Sequence, residues 1–173
     1  MILVSTGCSD FDRRTQFSTT YTNRVVLDSN NTKVGVEHDV LSDTLLVDFF
    51  KTVENHNSKE SKIESVMLES VSLEIDKFKS KGNVNFNFLS DFEIYLKGKG
   101  MDEILIGKSD SIPKSARYFE VKVVPEGEDF LDLIKTEEFQ CRLKFNTNTQ
   151  YQDSTMVIMI TPSYLVDTKK FGI

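Results

Sequence analysis

The residues able to do chemistry are few and scattered. His38 and His56 are the only histidines, and Cys8 and Cys141 the only thiols. Glu37-His38-Asp39 offers possible metal ligands in a row. Three consecutive side chains converge on one ion only where the backbone loops around it, and no second His or Cys stands at ligand spacing. A solvated loop is the competing reading. Cys141 lies in Phe139-Gln140-Cys141-Arg142-Leu143-Lys144-Phe145 and shares a face with Phe139, Leu143 and Phe145. That makes it a small buried hydrophobe with no base beside it in sequence. Nucleophile-elbow, P-loop and zincin patterns are absent. Gly98-Lys99-Gly100 lacks the third glycine and following helix of a phosphate cradle, and reads as a hairpin turn.

Acidic residues are densest at Glu126, Glu128, Asp129 and Asp132. Their oxygens would suit calcium, but the spacing is not that of an EF-hand loop, and carboxylates at a helix start complement its dipole without a metal. Nothing in the spacing singles out a carboxylate pair for glycoside hydrolysis. The expectation is therefore a chain with no catalytic residues, no metal and no cofactor.

The elements that would carry these residues read mostly as strands. Ile63 to Leu96 holds two alternating apolar runs around a polar turn: Val71, Leu73 and Ile75, then Phe92, Ile94 and Leu96. A period of two over that length predicts half-buried antiparallel strands. Residues 15–27 alternate through Phe17, Tyr21, Val25 and Leu27 and predict another strand, and Lys33 to Glu37 a short return. Leu45, Leu46, Phe49, Phe50 and Val53 share one helical face, with Ser42 or Asp43 as cap. Such a helix should pack across an open end or edge of the sheets. Val84, Phe86 and Phe88 alternate as in a strand, as do Ile104 and Ile106, and Phe119 to Val123. Glu126 to Ile134 reads as a short helix, Phe139 to Phe145 as a clean strand, and residues 155–160 as a central one. Pro162 is expected to end it. The fold class that follows is all-β: an antiparallel two-sheet (immunoglobulin-like) β-sandwich with one or two short helices. Function near the Ile63–Leu96 stretch would reside in its end loops, Asp76 to Gly82 and Lys97 to Asp102.

Composition narrows the function classes. The chain has 173 residues, a net charge of −6 and a pI near 5.0. It is long enough for a single core, and its acidity disfavours nucleic acid as a partner. Lys77, Lys79, Lys81, Lys97 and Lys99 form the one basic cluster, read here as solvated turn charge. No apolar run approaches the roughly 20 residues of a membrane span, so membrane association would have to come from a lipid or a partner.

The N-terminus, Met1-Ile2-Leu3-Val4-Ser5-Thr6-Gly7-Cys8, resembles the end of a bacterial lipoprotein signal peptide. There a small residue precedes a cysteine that is lipidated and becomes the first residue of the mature chain. The resemblance implies lipid on Cys8. It divides the chain into a residual signal-like segment at 1–7, a tether at 8–14 and a single sandwich domain at 15–173. A Cys8–Cys141 disulfide is the alternative for an exported chain, and lipidation excludes it. Phe88 to Leu96 (FLSDFEIYL) and Asp129 to Ile134 (DFLDLI) resemble, in order and pattern, uncharacterised lipoproteins of Bacteroidota. That resemblance spans roughly residues 63–165 and implies an immunoglobulin-like sandwich held at a membrane by lipid. Asp43-Thr44-Leu45, Asp110-Ser111-Ile112 and Asp153-Ser154-Thr155 are similar to the O-glycosylation tripeptide of exported Bacteroidota proteins.

These readings lead to one expectation of function. It is a non-enzymatic exported lipoprotein domain that binds or scaffolds a protein or glycan partner at the cell envelope, anchored in the outer membrane or periplasm. The alternatives are a soluble carrier of a small apolar ligand between the sheets, and a small hydrolase using the acidic group near Glu126.

Overall fold

The computed structural model describes residues 16–80, 84–124, 127–150 and 155–169. Alternation translates directly into strands over most of the chain. In β9 (Glu138–Thr147), Phe139, Cys141, Leu143 and Phe145 are buried while Gln140, Arg142, Lys144 and Asn146 face outward. β6 (Leu89–Gly98) lies against it with Phe92, Ile94 and Leu96 opposite Phe145, Leu143 and Cys141. That register puts apolar pairs inward and charged pairs outward; a one-residue slip would reverse both faces.

The remaining strands are β1 (Gln16–Thr20), β2 (Asn23–Leu27), β3 (Glu37–Leu41), β4 (Leu45–Leu46), β5 (Ile63–Ile75), β7 (Ile104–Ser109), β8 (Tyr118–Val121) and β10 (Met156–Thr168). They form two antiparallel sheets. One runs β1/β2-β10-β5-β8 and the other β3/β4-β9-β6-β7. The expected two-sheet β-sandwich is present. Its strand order, however, is not immunoglobulin-like. That order places the first two strands side by side in one sheet. Here β1/β2 and β3/β4 fall in different sheets. Counting each interrupted pair as one strand, the first pairs with the last, the second with the seventh, the third with the sixth and the fourth with the fifth. This is one long hairpin rolled over itself, the jelly-roll arrangement.

Pro162 is the main departure from the sequence expectation. β10 does not stop there but continues six residues further, to Thr168, as an inner strand. The Tyr21 amide donates to the Pro162 carbonyl at 3.3 Å. The return bond would need the N–H that proline lacks. The outer strand is therefore divided at Tyr21 and Thr22, between β1 and β2, while both halves keep one register on β10. The ladder loses a single bond and the proline is tolerated.

Four smaller expectations are corrected. Leu45 and Leu46 are not helical but pair with Phe139 and Glu138 on β9. The helix, α1 (Phe49–Asn55), starts later because Asp48 caps it by accepting from the Lys51 amide at 3.0 Å. Val84, Phe86 and Phe88 are buried, but Phe86–Phe88 is a 3-10 turn rather than a strand. The second helix is confined to α2 (Leu131–Ile134), and the return strand begins at Glu37, not Lys33. As anticipated, α1 closes one end of the sandwich, with Phe49 and Val53 buried. Glu137 of the facing segment accepts from the Phe49 amide at 3.1 Å, anchoring the helix start.

The register also fixes the two poles. Gln16, Ile63, Thr168, both helices and the β6–β7 turn lie at one pole. The β2–β3, β5–β6, β7–β8 and β9–β10 connections lie at the other, the distal pole.

Along the β7–β8 side the sheets meet: Gly107 bridges Val123, and the Val124 amide donates to the Ile106 carbonyl at 3.1 Å. A Cβ on Gly107 would stand 2.9 Å from Val121 Cγ1. Gly107→Ala should therefore lower stability by about 1–3 kcal/mol through overpacking. Val121→Ala in the same chain should recover part of the loss. Denaturant unfolding of the double-mutant cycle checks this, and strictly additive losses would disprove the contact's role.

Candidate functional site

The outward residues of the β3-β9-β6-β7 sheet build a groove of about 480 Å³ toward the distal pole. Its floor and walls include Glu37, Asp91, Glu93, Lys108, Lys144 and Asn146. The pleat explains their convergence. They occupy outward positions on four neighbouring strands, with Glu37 opposite Asn146, and Glu93 between Lys144 and Lys108. Opposite charges on adjacent strands support one another.

Bonding within this face is specific. Lys144 Nζ lies 3.1 Å from Glu37 Oε1, and that contact raises its pKa. Asn146 Nδ2 donates to Asp91 Oδ1 at 2.9 Å, and Ser90 Oγ to Asp91 Oδ2 at 2.9 Å. The Tyr95 hydroxyl donates to Glu93 Oε2 at 2.7 Å, and the bond to this carboxylate raises the Tyr95 pKa. Arg142 stacks over the Tyr95 ring at 4.3 Å and donates to Asp39 Oδ2 at 2.9 Å. It also forms two bonds to Glu103, one from Nε at 3.1 Å. Partial burial works against the guanidinium charge, but the two carboxylates outweigh it and raise its pKa. A groove lined this way suits a polar ligand able to exchange hydrogen bonds with carboxylates, ammonium groups and an amide.

A second hollow, about 290 Å³, opens at the seam between β2 and the β3–β4 connection, beside Asn23, Arg24, Asp43 and Thr44. Ser42 Oγ holds the seam: it accepts from the Cys141 amide at 2.9 Å, donates to the Asp43 carbonyl at 2.8 Å, and lies 3.3 Å from Asn23 Oδ1. Asn23 Nδ2 is buried with no partner among the described residues.

The structure separates the residues that a metal at Glu37-His38-Asp39 would need together. They lie on strand β3, so His38 points inward while Glu37 and Asp39 point out. His38 Nε2 is 2.8 Å from the Lys33 carbonyl oxygen, and its ring packs on Phe145 at 5.2 Å. His56 stacks on Phe17 at 4.0 Å. Among the described residues no three His, Cys, Asp or Glu side chains gather to hold a metal ion. Asp129, from the acidic group, accepts from the Val66 and Leu131 amides, both at 2.9 Å, pinning the start of α2 to β5. Gly98 to Met101 is a turn, as read.

Cys141 is free and fully buried, and burial pushes its thiol up to about 12. Cys8 and Glu126 lie outside the described residues, as do Asp153 and Ser154. Of the glycosylation-like tripeptides, Thr44 and Ser111 are exposed. Sequence reasoning missed the groove itself. The available signal was the outward charge of Arg142 and Lys144 facing the outward acid Glu93, which becomes informative only with the strand order.

Comparison with known proteins adds little. No protein-family model matches the chain, and no curated protein does. A solved structure described as Desmodium yellow mottle tymovirus is similar over 99% of this chain and 96% of that one, at 8% identity and a TM-score of 0.24. A likeness of that size carries no argument about fold or function.

Two outcomes follow from the interior. In a Cys8→Ala chain, Cys141 should resist thiol reagents at pH 8 and react only on unfolding. Folded Cys141 keeps its proton up to about 12, whereas the unfolded thiol loses it near 9. Stability is therefore complete below about pH 9 and falls as pH rises toward 12, by at most about 1.4 kcal/mol per unit from this group. Denaturant titrations should show Cys141→Ala removing that part of the slope. The Tyr164 hydroxyl is likewise buried without a partner among the described residues. Tyr164→Phe should leave stability unchanged or raise it by about 1 kcal/mol; a clear loss would reveal a hydrogen bond.

Proposed function

We propose that this chain is a non-enzymatic, lipid-anchored sandwich domain that binds or scaffolds a partner at the bacterial cell envelope, carried on a tether from Cys8. The observation that carries the reading is polarity of layout. Gln16, where the first described strand begins, pairs with Asp167 at one pole, while the groove opens toward the other. A lipid at Cys8 would hold the helix-capped pole toward the membrane and present the charged groove away from it. The partner class that suits such a groove is a glycan or a polar protein segment.

The chemistry of the interior supports binding over catalysis. Cys141 is held protonated in the core, His38 is committed to a backbone carbonyl, and His56 to an aromatic stack. The apolar-carrier alternative is less well supported, because rings occupy the space between the sheets: Phe86 meets Phe119 edge-on at 5.0 Å, and Phe88 meets Phe145 at 6.4 Å.

Expressed for export with its full upstream sequence, the protein should partition into the detergent phase. Cys8→Ala should move it to the aqueous phase; detergent partitioning unchanged by that substitution would refute lipid anchoring. The binding half is tested separately. A photo-cross-linking residue in place of Lys108, in the groove, should capture an envelope component in intact cells. The same residue in place of Lys99, in the β6–β7 turn at the opposite pole, should not. Equal capture from both positions would remove the groove from the reading.

A further inference from the structure

We propose that the distal pole also docks on an anionic lipid surface, inserting Phe78 between Lys77 and Lys79. This goes beyond the reading above and does not depend on lipid at Cys8; where that lipid is present, the surface met by the distal pole is a second one, opposed to the anchored membrane.

Phe78 is 88% exposed, the most of any large apolar side chain described. The loop that carries it is firmly braced. Asp76 Oδ1 accepts from the Phe78 amide at 3.0 Å and the Lys79 amide at 3.3 Å. The Asp76 carbonyl accepts from the Ser80 amide at 2.9 Å. Both ends are pinned to β10: the Asp76 amide donates to the Val157 carbonyl at 2.9 Å, and the Val157 amide to Ser80 Oγ at 3.0 Å. A tight turn held at both ends keeps the ring projecting rather than folding back onto the core. Lys77 Nζ sits 5.0 Å from the ring centroid. Val34 and Val36, in the neighbouring β2–β3 connection, are each more than half exposed, as is Tyr118 at the start of β8.

The charge at this pole runs against that of the chain. Net charge is −6 overall. The described distal connections nonetheless carry Lys33, Lys77, Lys79, Lys114 and Arg117 against Asp28, Asp76 and Asp110. The Asp76 carboxylate is also occupied by the backbone amides of its own loop. An aromatic ring at a convex tip, flanked by ammonium groups, matches a lipid interface. The ring enters the acyl boundary while the lysines reach anionic headgroups. A protein cleft would have to be shaped to a protruding tip, whereas lipid deforms to it. The acidity of the remainder keeps the other faces off such a surface and so sets the orientation.

Sedimentation of the Cys8→Ala protein with vesicles tests this. Binding is expected to mixed phosphatidylcholine and phosphatidylglycerol vesicles at low salt, weakening as salt rises, and not to phosphatidylcholine alone. Phe78→Ser should weaken binding about tenfold or more. Lys77→Gln with Lys79→Gln should weaken it about 25-fold, near fivefold per charge. All three side chains are solvent-facing, so an unchanged thermal midpoint separates lost docking from lost folding. Absence of binding, equal binding to uncharged vesicles, or variants that bind like the parent would each overturn the proposal. Binding to polyglutamate but not to vesicles would also overturn it, in favour of an acidic protein partner.

Discussion

The antiparallel ladder between β5 and β10 is the constraint on which the other contacts depend. Both strands run the length of the sandwich, and each carries a second neighbour on its far side: β8 on β5, and β1 and β2 on β10. Their pairing joins the third strand of the rolled hairpin to the last, a contact between distant parts of the chain. Once it forms, Val71, Leu73 and Ile75 share one face with Ile158, Ile160 and Tyr164, and the opposite sheet has a surface to cover. Long-range pairing of this kind is slow to find, because loop closure costs entropy before the contacts return it. A β-bulge falls between Ser163 and Tyr164, just past Pro162, and the two strands stay paired beyond it to Thr168.

The same construction separates structure from recognition. Inward positions on the second sheet are fully used by Phe92, Phe139, Leu143 and Phe145. Outward positions on those strands hold Glu93, Arg142, Lys144 and Asn146, whose bonds run between strands rather than into the core. Exposed ion pairs contribute little to stability. This face can therefore change without endangering the fold, which is the freedom a recognition surface needs.

Much of the architecture was legible in the sequence because burial on one face imposes a period of two. Phe139 to Phe145, Val71 to Ile75 and Phe92 to Leu96 carry that period, and they lie in three of the four inner strands. Errors arose where local pattern and tertiary context diverge. Leu45, Phe49 and Val53 have helical spacing, but β9 claims Leu45 as a strand partner. Val84, Phe86 and Phe88 alternate because each is buried, not because a ladder holds them. Pro162 looks like a stop because nothing local shows that its missing donor faces the gap in the outer strand at Tyr21 and Thr22. The immunoglobulin-like order failed for a related reason: strand order depends on which distant segments pair. The groove was illegible for the same cause. Glu37, Asp91, Lys108 and Lys144 lie far apart in the chain and meet only through the pleats of four strands.

The division of the outer strand at Tyr21 and Thr22 has a mechanical consequence. A load applied at Gln16 acts first on β1, whose pairs with β10 begin at Asp167 and end at Ser163. Those pairs open one at a time from the loaded end, as in a zipper. The peeling front then reaches Pro162, where the ladder is already one bond short. β2 lies beyond that gap, with Val25 and Leu27 buried and its own pairs to Met156 through Ile160 intact. The proline thus acts as a fuse. The five residues of β1 can be drawn out while the core stays closed, so the point of load moves away from the domain without unfolding it.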